Sequence, residues 1–175
     1  SGKIIEAKKI VQSALKLYPR NLLLNQYEID LNDEKNINTF NCRKEQHVIG
    51  EILYITANAL SSESIYFLSN FYLNLAKYLN EDFHSYDTLV AENFNKIDNF
   101  EAEKKIYNNL SKRGEAFKWY STKQLVRILV KEEKKDKAIK VLSNAYKDLV
   151  NKDAYETFDF AEFLKNNEKF EESIL

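Results

Sequence analysis

The side chains with the greatest capacity for chemistry in this chain are His47, His84 and Cys42, and their spacing gives none of them a catalytic partner. His47 and Glu51 stand four residues apart in a periodic segment, which puts two metal-ligating groups on one helix face. Two ligands are too few for a closed site, so the expected reading is a surface pair. His84 lies near Asp82 and Asp87 in a polar stretch between helices, where capping of the next helix is the expected role. Cys42 has no base beside it and reads as a small, half-buried side chain. Being the lone cysteine, it excludes an internal disulfide and leaves the redox compartment open. Three scattered glycines cannot build a phosphate-cradling loop. Neither a catalytic residue nor a cofactor or metal site is expected.

The elements that carry these residues are helices. Hydrophobic residues make up 44% of the 175 and charged ones 30%, enough for a packed core and too apolar for a disordered chain. Three Gly and one Pro are too few for the corners of a strand-rich fold, whereas short helical turns need fewer of them. The 13% aromatic content, nearly all Tyr and Phe, supplies bulk for helix contacts. The fold class is therefore all-α.

Apolar spacing of three and four residues predicts helices over Ile4–Tyr18, closed by Pro19, and over Leu22–Leu31. From Asn32 to Cys42 the pattern dissolves into an irregular connection. Periodicity resumes over Glu45–Leu60, and the Ser61–Ser64 cluster offers N-cap chemistry for a helix over Ile65–Leu79. Further helices follow over Tyr86–Asn95, Phe100–Lys112, Ala116–Lys131, Lys135–Val150 and Tyr155–Asn166, with Phe170 opening another.

These helices repeat. Ala57, Ala91, Val126 and Ala161 are separated by 34, 35 and 35 residues, and each is followed three residues later by Leu60, Phe94, Leu129 or Leu164. A period of roughly 34 with a small-then-large pattern marks a helical-hairpin solenoid. Small residues let two helix backbones approach to about 8–10 Å, and the large ones fill the grooves.

In these positions the chain resembles the tetratricopeptide repeat family, over most of its length. Second helices supply Tyr66, Ser69, Leu73 and Ala76, then Phe100, Tyr107 and Leu110, then Ala138, Leu142 and Ala145; Phe170 and Ser173 follow. Glu103 stands where the motif has a small residue, and Lys135 where it has an aromatic. Ala7, Val11, Ala14, Leu17 and Pro19 match the second helix of a preceding repeat; Glu81, Glu115 and Val150 stand where later repeats lack that proline. Ala7 to Ser69 spans 62 residues, six short of two repeats of 34, so the repeat holding Asn32–Cys42 is distorted. The implied segments are a second helix (1–21), an irregular short repeat (22–49), repeats at 50–83, 84–118 and 119–153, and a cut repeat (154–175).

The resemblance implies a right-handed superhelical solenoid of antiparallel helix hairpins, with first helices lining a concave groove that binds a peptide or partner protein. Carried over residue by residue, the groove positions are Tyr54, Asn58, Thr88, Glu92, Tyr120, Lys123, Arg127, Tyr155, Phe158 and Glu162. Rings for apolar anchors, amides for backbone groups and charges for orientation suit a peptide. A clamp for a chaperone's C-terminal carboxylate is not expected: Asn58 matches it, but Tyr54, Leu89 and Tyr120 replace its polar or basic side chains. The implied function is a non-catalytic interaction scaffold; the other reading is a structural segment acting through its edges or convex face.

A net charge of −1 and the absence of a basic block exclude a nucleic-acid footprint. The Lys131–Lys137 stretch is interleaved with Glu132, Glu133 and Asp136, which reads as a solvated turn. No apolar run reaches the ~18 residues of a membrane span, and no secretory leader is legible. Ser1-Gly2 reads as a scar of tag removal, so the compartment is not assigned, and the chain reads as a fragment of a longer array. Terminal hairpins of a cut solenoid expose apolar faces, which predicts self-association through Ile4–Tyr18 or Phe158–Leu175.

Overall fold

The computed structural model describes residues 2–35, 37, 39–149 and 152–174. The expected helix end at Val150, Ser1 of the expected scar and the last residue of the Phe158–Leu175 segment lie outside the described residues. Within them the chain is all-α: α1 (Gly2–Leu17), α2 (Leu22–Asn32), α3 (Glu45–Ser62), α4 (Tyr66–Leu79), α5 (Ser85–Lys96), α6 (Phe100–Leu110), α7 (Glu115–Lys131), α8 (Lys135–Asp148), α9 (Ala154–Asn166) and a terminal 3-10 turn at Glu171–Ser173.

From α3 to α9 each helix packs on the next in the chain. The core follows that order as successive clusters. Ala57, Leu73, Ala76, Tyr86, Leu89 and Val90 join α3, α4 and α5. Ala91, Tyr107, Leu110, Phe117 and Ile128 join α5, α6 and α7. Trp119, Val126, Ala138, Ile139, Leu142, Phe160 and Leu164 join α7, α8 and α9. Ala57, Ala91 and Val126 are fully buried, as close helix contact requires of small residues, while Ala161 is half-buried.

A backbone device recurs with the sequence period. Glu34, Ser64, Asp98, Glu133 and Glu168 all adopt positive φ, between 55° and 66°. Their spacings by subtraction are 30, 34, 35 and 35 residues. Each sits two residues past the end of α2, α3, α5, α7 or α9, and the next N–H bonds back five residues. Ile65 reaches the Leu60 carbonyl at 2.9 Å, Asn99 Phe94 at 2.9 Å, Lys134 Leu129 at 2.8 Å and Lys169 Leu164 at 3.0 Å. Lys35 makes the same bond to Asp30 at 2.8 Å. Left-handed residues closing a helix in this way satisfy its last carbonyls. Helix termination without glycine is thus periodic in the backbone, which is compatible with a helical repeat, and α2 belongs to the same class as α3, α5, α7 and α9.

The expected capping role of Ser61–Ser64 is corrected. Helix α3 runs through Ser62 because Ser61 is held by Asn93 and the Ser62 hydroxyl bonds the Asn58 carbonyl. Ser64 is the left-handed residue, and α4 starts after Ile65 with no side-chain cap.

The segment expected to be irregular connects α2 to α3, and α2 packs on α7 as well as on its neighbour α1. Leu22 and Leu23 pack on the Phe117–Ile128 cluster, and Gln26, 4% exposed, accepts from the Ala116 N–H at 3.1 Å. Thr39 ties this segment down: its hydroxyl bonds Tyr27, and its carbonyl accepts from buried Asn80 at the end of α4 at 2.8 Å.

Candidate functional site

Helices α5, α6 and α7 enclose a cleft of about 310 Å³. Its floor is Tyr107, 1% exposed, set edge-on to Tyr120 with ring centroids 6.0 Å apart. Beside it lies Glu103, 2% exposed, whose carboxylate oxygens accept from the Asn95 side-chain amide at 3.0 and 3.1 Å. Burial raises the Glu103 carboxyl above its ordinary value, and the Asn95 bond, then Lys131 and Arg127, hold it partly back. Glu92 at the lip is raised chiefly by desolvation, against a hydrogen bond from Tyr120 and the charge of Lys96. Burial and Glu92 push the Tyr120 hydroxyl up to about 12, and burial pushes Tyr107 higher still. The rim carries cations: Arg127 is exposed and donates to Gln124 at 3.0 Å, and Lys131 lies 4.9 Å above the Phe100 ring.

A second cleft of about 390 Å³ opens between α7, α8 and α9. Lys123 pairs with Asp159 and lies 5.6 Å above the Trp119 ring. Asp159 is also held by Arg20, from the turn joining α1 to α2, at 2.8 Å. The Arg20 guanidinium lies 5.3 Å from the Tyr155 ring centre and 6.0 Å from that of Phe158, a cation–π arrangement on both. Gln124 and Arg127 line both clefts, so the two meet on the exposed face of α7.

The groove residues expected from the sequence therefore separate into groups. Glu92, Tyr120 and Arg127 come together in the first cleft; Lys123, Arg127 and Glu162 come together in the second. Tyr155 and Phe158 stand beside the second as the platform for Arg20. Tyr54, Asn58 and Thr88 line neither. The Tyr54 ring turns inward against Phe83 and Tyr86, at centroid distances of 5.9 and 5.4 Å, and burial raises its hydroxyl. Asn58 is exposed on α3, and the Thr88 hydroxyl bonds the Ser85 carbonyl at 2.8 Å within its own helix.

Arg20, Glu103, Gln124 and Asp159 were absent from the sequence expectation of the groove. Glu103 carried a signal, a carboxylate in place of a small core residue. Arg20 and Asp159 carried none, because their meeting depends on how α2 docks.

The remaining expectations for reactive side chains are corrected. His47 is buried, 8% exposed, and its Nδ1 accepts from the Asn41 N–H at 3.2 Å; it is a packing residue beside Phe40 and no surface pair. His84 occupies the N-cap position of α5 but makes no cap bond. Its ring lies edge-on to Phe117 of α7 at 5.3 Å, and desolvation followed by the charge of Arg113 lowers its pKa. Cys42 is exposed, since the segment carrying it runs over the surface.

Among the described residues no group of three His, Cys, Asp or Glu side chains is arranged to hold a metal ion. No helix among them is long and apolar enough to cross a membrane. No family model, well-described protein or solved structure matches the chain.

Proposed function

We propose that this chain is a tetratricopeptide-type solenoid segment that serves as a non-catalytic protein–protein interaction scaffold. It takes a peptide or a partner's extended segment along the face of its first helices. The observation that carries this reading is the pair of clefts meeting at Gln124 and Arg127. Together they present two cations, Arg127 and Lys123, flanked by the carboxylates Glu92 and Glu162, over a floor that includes Tyr107, Val126 and Leu142. Such a surface orients a peptide by its charges and anchors it by apolar contact with the floor. Support for the repeat comes from the recurring left-handed helix ends and, from α3 to α9, from a core split into successive clusters, as expected where hairpins stack on their neighbours.

The test is selection from a displayed peptide library, followed by titration of the selected peptides against Arg127→Ala and Glu92→Ala. Loss of about tenfold or more in affinity for each variant is expected, as for a charged contact at the centre of an interface. Unchanged affinity for both would remove the groove from the interaction.

A second reading, a structural segment acting through its edges, is favoured by a separate observation. The outward face of α3 and α4 exposes many large apolar side chains.

A further inference from the structure

We infer that the outward face of the α3–α4 hairpin is a homodimer interface, with a second copy of this chain as its occupant. This rests on the second reading above and is independent of the groove. Along α3, Val48, Ile52 and Ile55 recur at spacings of four and three, and along α4, Phe67, Phe71 and Tyr78 recur at four and seven. On a helix of 3.6 residues per turn each set forms one stripe. Both stripes lie opposite Gly50 and Ala57 on α3 and Ser69, Leu73 and Ala76 on α4, which these helices bury; His47 and Asn70 are buried at the flanks. Exposure runs from 37% at Val48 to 85% at Tyr78, and Ile49, Leu68 and Leu75 widen the stripes.

Charge separates this face from the others. No exposed residue between Val48 and Ser62 of α3 is charged, and none along the whole of α4. The one ionisable ammonium of α4, Lys77, is half-buried and paired with Asp87 of α5. By contrast α1, which also exposes Ile5, Ile10 and Leu17, carries Lys3, Glu6, Lys9 and Lys16 among its exposed positions. Solvent-facing helices of a monomer carry polar and charged residues opposite their core. Here that position is apolar on two neighbouring helices.

The area suits a dimer. At roughly 150–250 Å² for a large side chain, these exposures sum to roughly 1,000 Å² of apolar surface. A monomer's largest patch is about 300–600 Å². A standard interface takes about 800 Å² from each partner.

A two-fold axis sets one patch against the same patch, which requires a self-complementary surface. An uncharged apolar face meets that requirement, whereas a face of one charge sign repels its copy. A second copy is the one partner whose matching surface the chain itself supplies. A membrane surface fits less well, because interfacial helices carry Lys and Arg along the flank of their apolar stripe, and this face has none exposed.

Sedimentation velocity and light scattering on the chain at concentrations up to about 100 µM decide the matter, a range that detects all but weak dimers. Twice the mass of one chain is expected for the wild type. Phe71→Glu and Tyr78→Glu are expected to weaken association roughly 100-fold or more by burying an unpaired charge. Tyr78 is 85% exposed, so its substitution leaves folding intact, which helicity by circular dichroism checks. Leu17→Glu on α1 and Arg127→Ala in the clefts are expected to leave the dimer unchanged; this departs from the expectation of association through Ile4–Tyr18, because α1 carries exposed charges beside its apolar residues. A wild type that stays monomeric overturns the inference, whether or not it then binds lipid vesicles or another protein. So does a dimer insensitive to both α4 substitutions, or one broken by Leu17→Glu instead. Because Arg127→Ala is carried in both experiments, failure of the groove and failure of the dimer are read separately.

Discussion

The Asn93 side-chain amide donates to the Ser69 hydroxyl at 2.8 Å, with both residues fully buried, and so ties α5 to α4. The same amide donates to Asn70 Oδ1 at 2.8 Å, and its oxygen accepts from Ser61 at 2.6 Å. Ser69 in turn donates to the Ala57 carbonyl at 2.8 Å. Every polar atom of the Asn93 side chain is used, and three helices are joined at one point. Buried polar networks are favourable only when complete, because each orphaned group retains its desolvation cost.

Asn93→Ala should therefore cost about 2–4 kcal/mol in urea unfolding, more than a cavity of its size alone. Ser61 and Asn70 lose their partner in that variant. Asn93→Leu refills the volume and isolates the polar loss. Should Asn93→Leu be as stable as the wild type, the network holds no part of the stability.

Gly114 should resist substitution while Gln26 is in place. A Cβ there would collide with the side-chain amide of Gln26, and φ is +157°. Gln26 cannot simply swing away, since it is buried and bonded to the Ala116 N–H and to Asp30 at 2.9 Å. Gly114→Ala should cost about 1–3 kcal/mol. It should also speed proteolytic cleavage in residues 18–44, as α2 lifts from α7. In a Gln26→Ala background the penalty should shrink by about 1 kcal/mol or more, as expected of residues in contact. Equal penalties in both backgrounds would show that α2 is not held at this point.

Asp98→Gly and Glu133→Gly should each raise stability by about 0.5–1 kcal/mol. A left-handed conformation costs a non-glycine residue about 1–2 kcal/mol. Glycine returns part of that gain through its freer unfolded chain, about 0.5–1 kcal/mol. Both residues are exposed, so no packing is lost. The readout is the urea midpoint at constant m-value.

These helix ends also show what could be read from the residues. Local signals sufficed for the helices, because each amphipathic stripe and Pro19 lie within one element. Period and small residues at 57, 91 and 126 located the tight contacts. Nothing local placed α2 on α7, since Gln26 meets Ala116 and Arg20 meets Asp159 across most of the chain. The glycine count concealed the left-handed ends, which Glu, Ser and Asp occupy instead. Serines at 61 and 62 resemble caps in isolation, but tertiary partners in α5 and α3's own carbonyls claim them. The half of the expected groove that came together lies on α5, α7 and α9; on α3, Tyr54 is drawn into the core by Phe83 and Tyr86.

Glu103→Gln should make the protein more stable at pH 7 to 8 and leave it unchanged in acid. Burial raises the Glu103 carboxyl in the folded state, so the folded chain holds its proton more tightly than the unfolded chain does. Between the ordinary glutamate value and the raised one, the folded state carries more protons, and stability falls as pH rises through that window. Below the unfolded value both states are protonated and the penalty is absent. Glutamine removes it at every pH while keeping an oxygen for Asn95. Glu51, Glu92 and Glu156 are raised in the same direction, and the paired Glu132 and Glu168 are lowered. All five remain in the variant, so the difference between the two melting curves isolates Glu103. The predicted signature is a gap in Tm that opens as pH rises from about 4 to 8, the range in which a raised carboxyl titrates. A gap of constant size would mean that the Asn95 bond and the nearby Lys131 and Arg127, rather than desolvation, decide the state of this carboxylate.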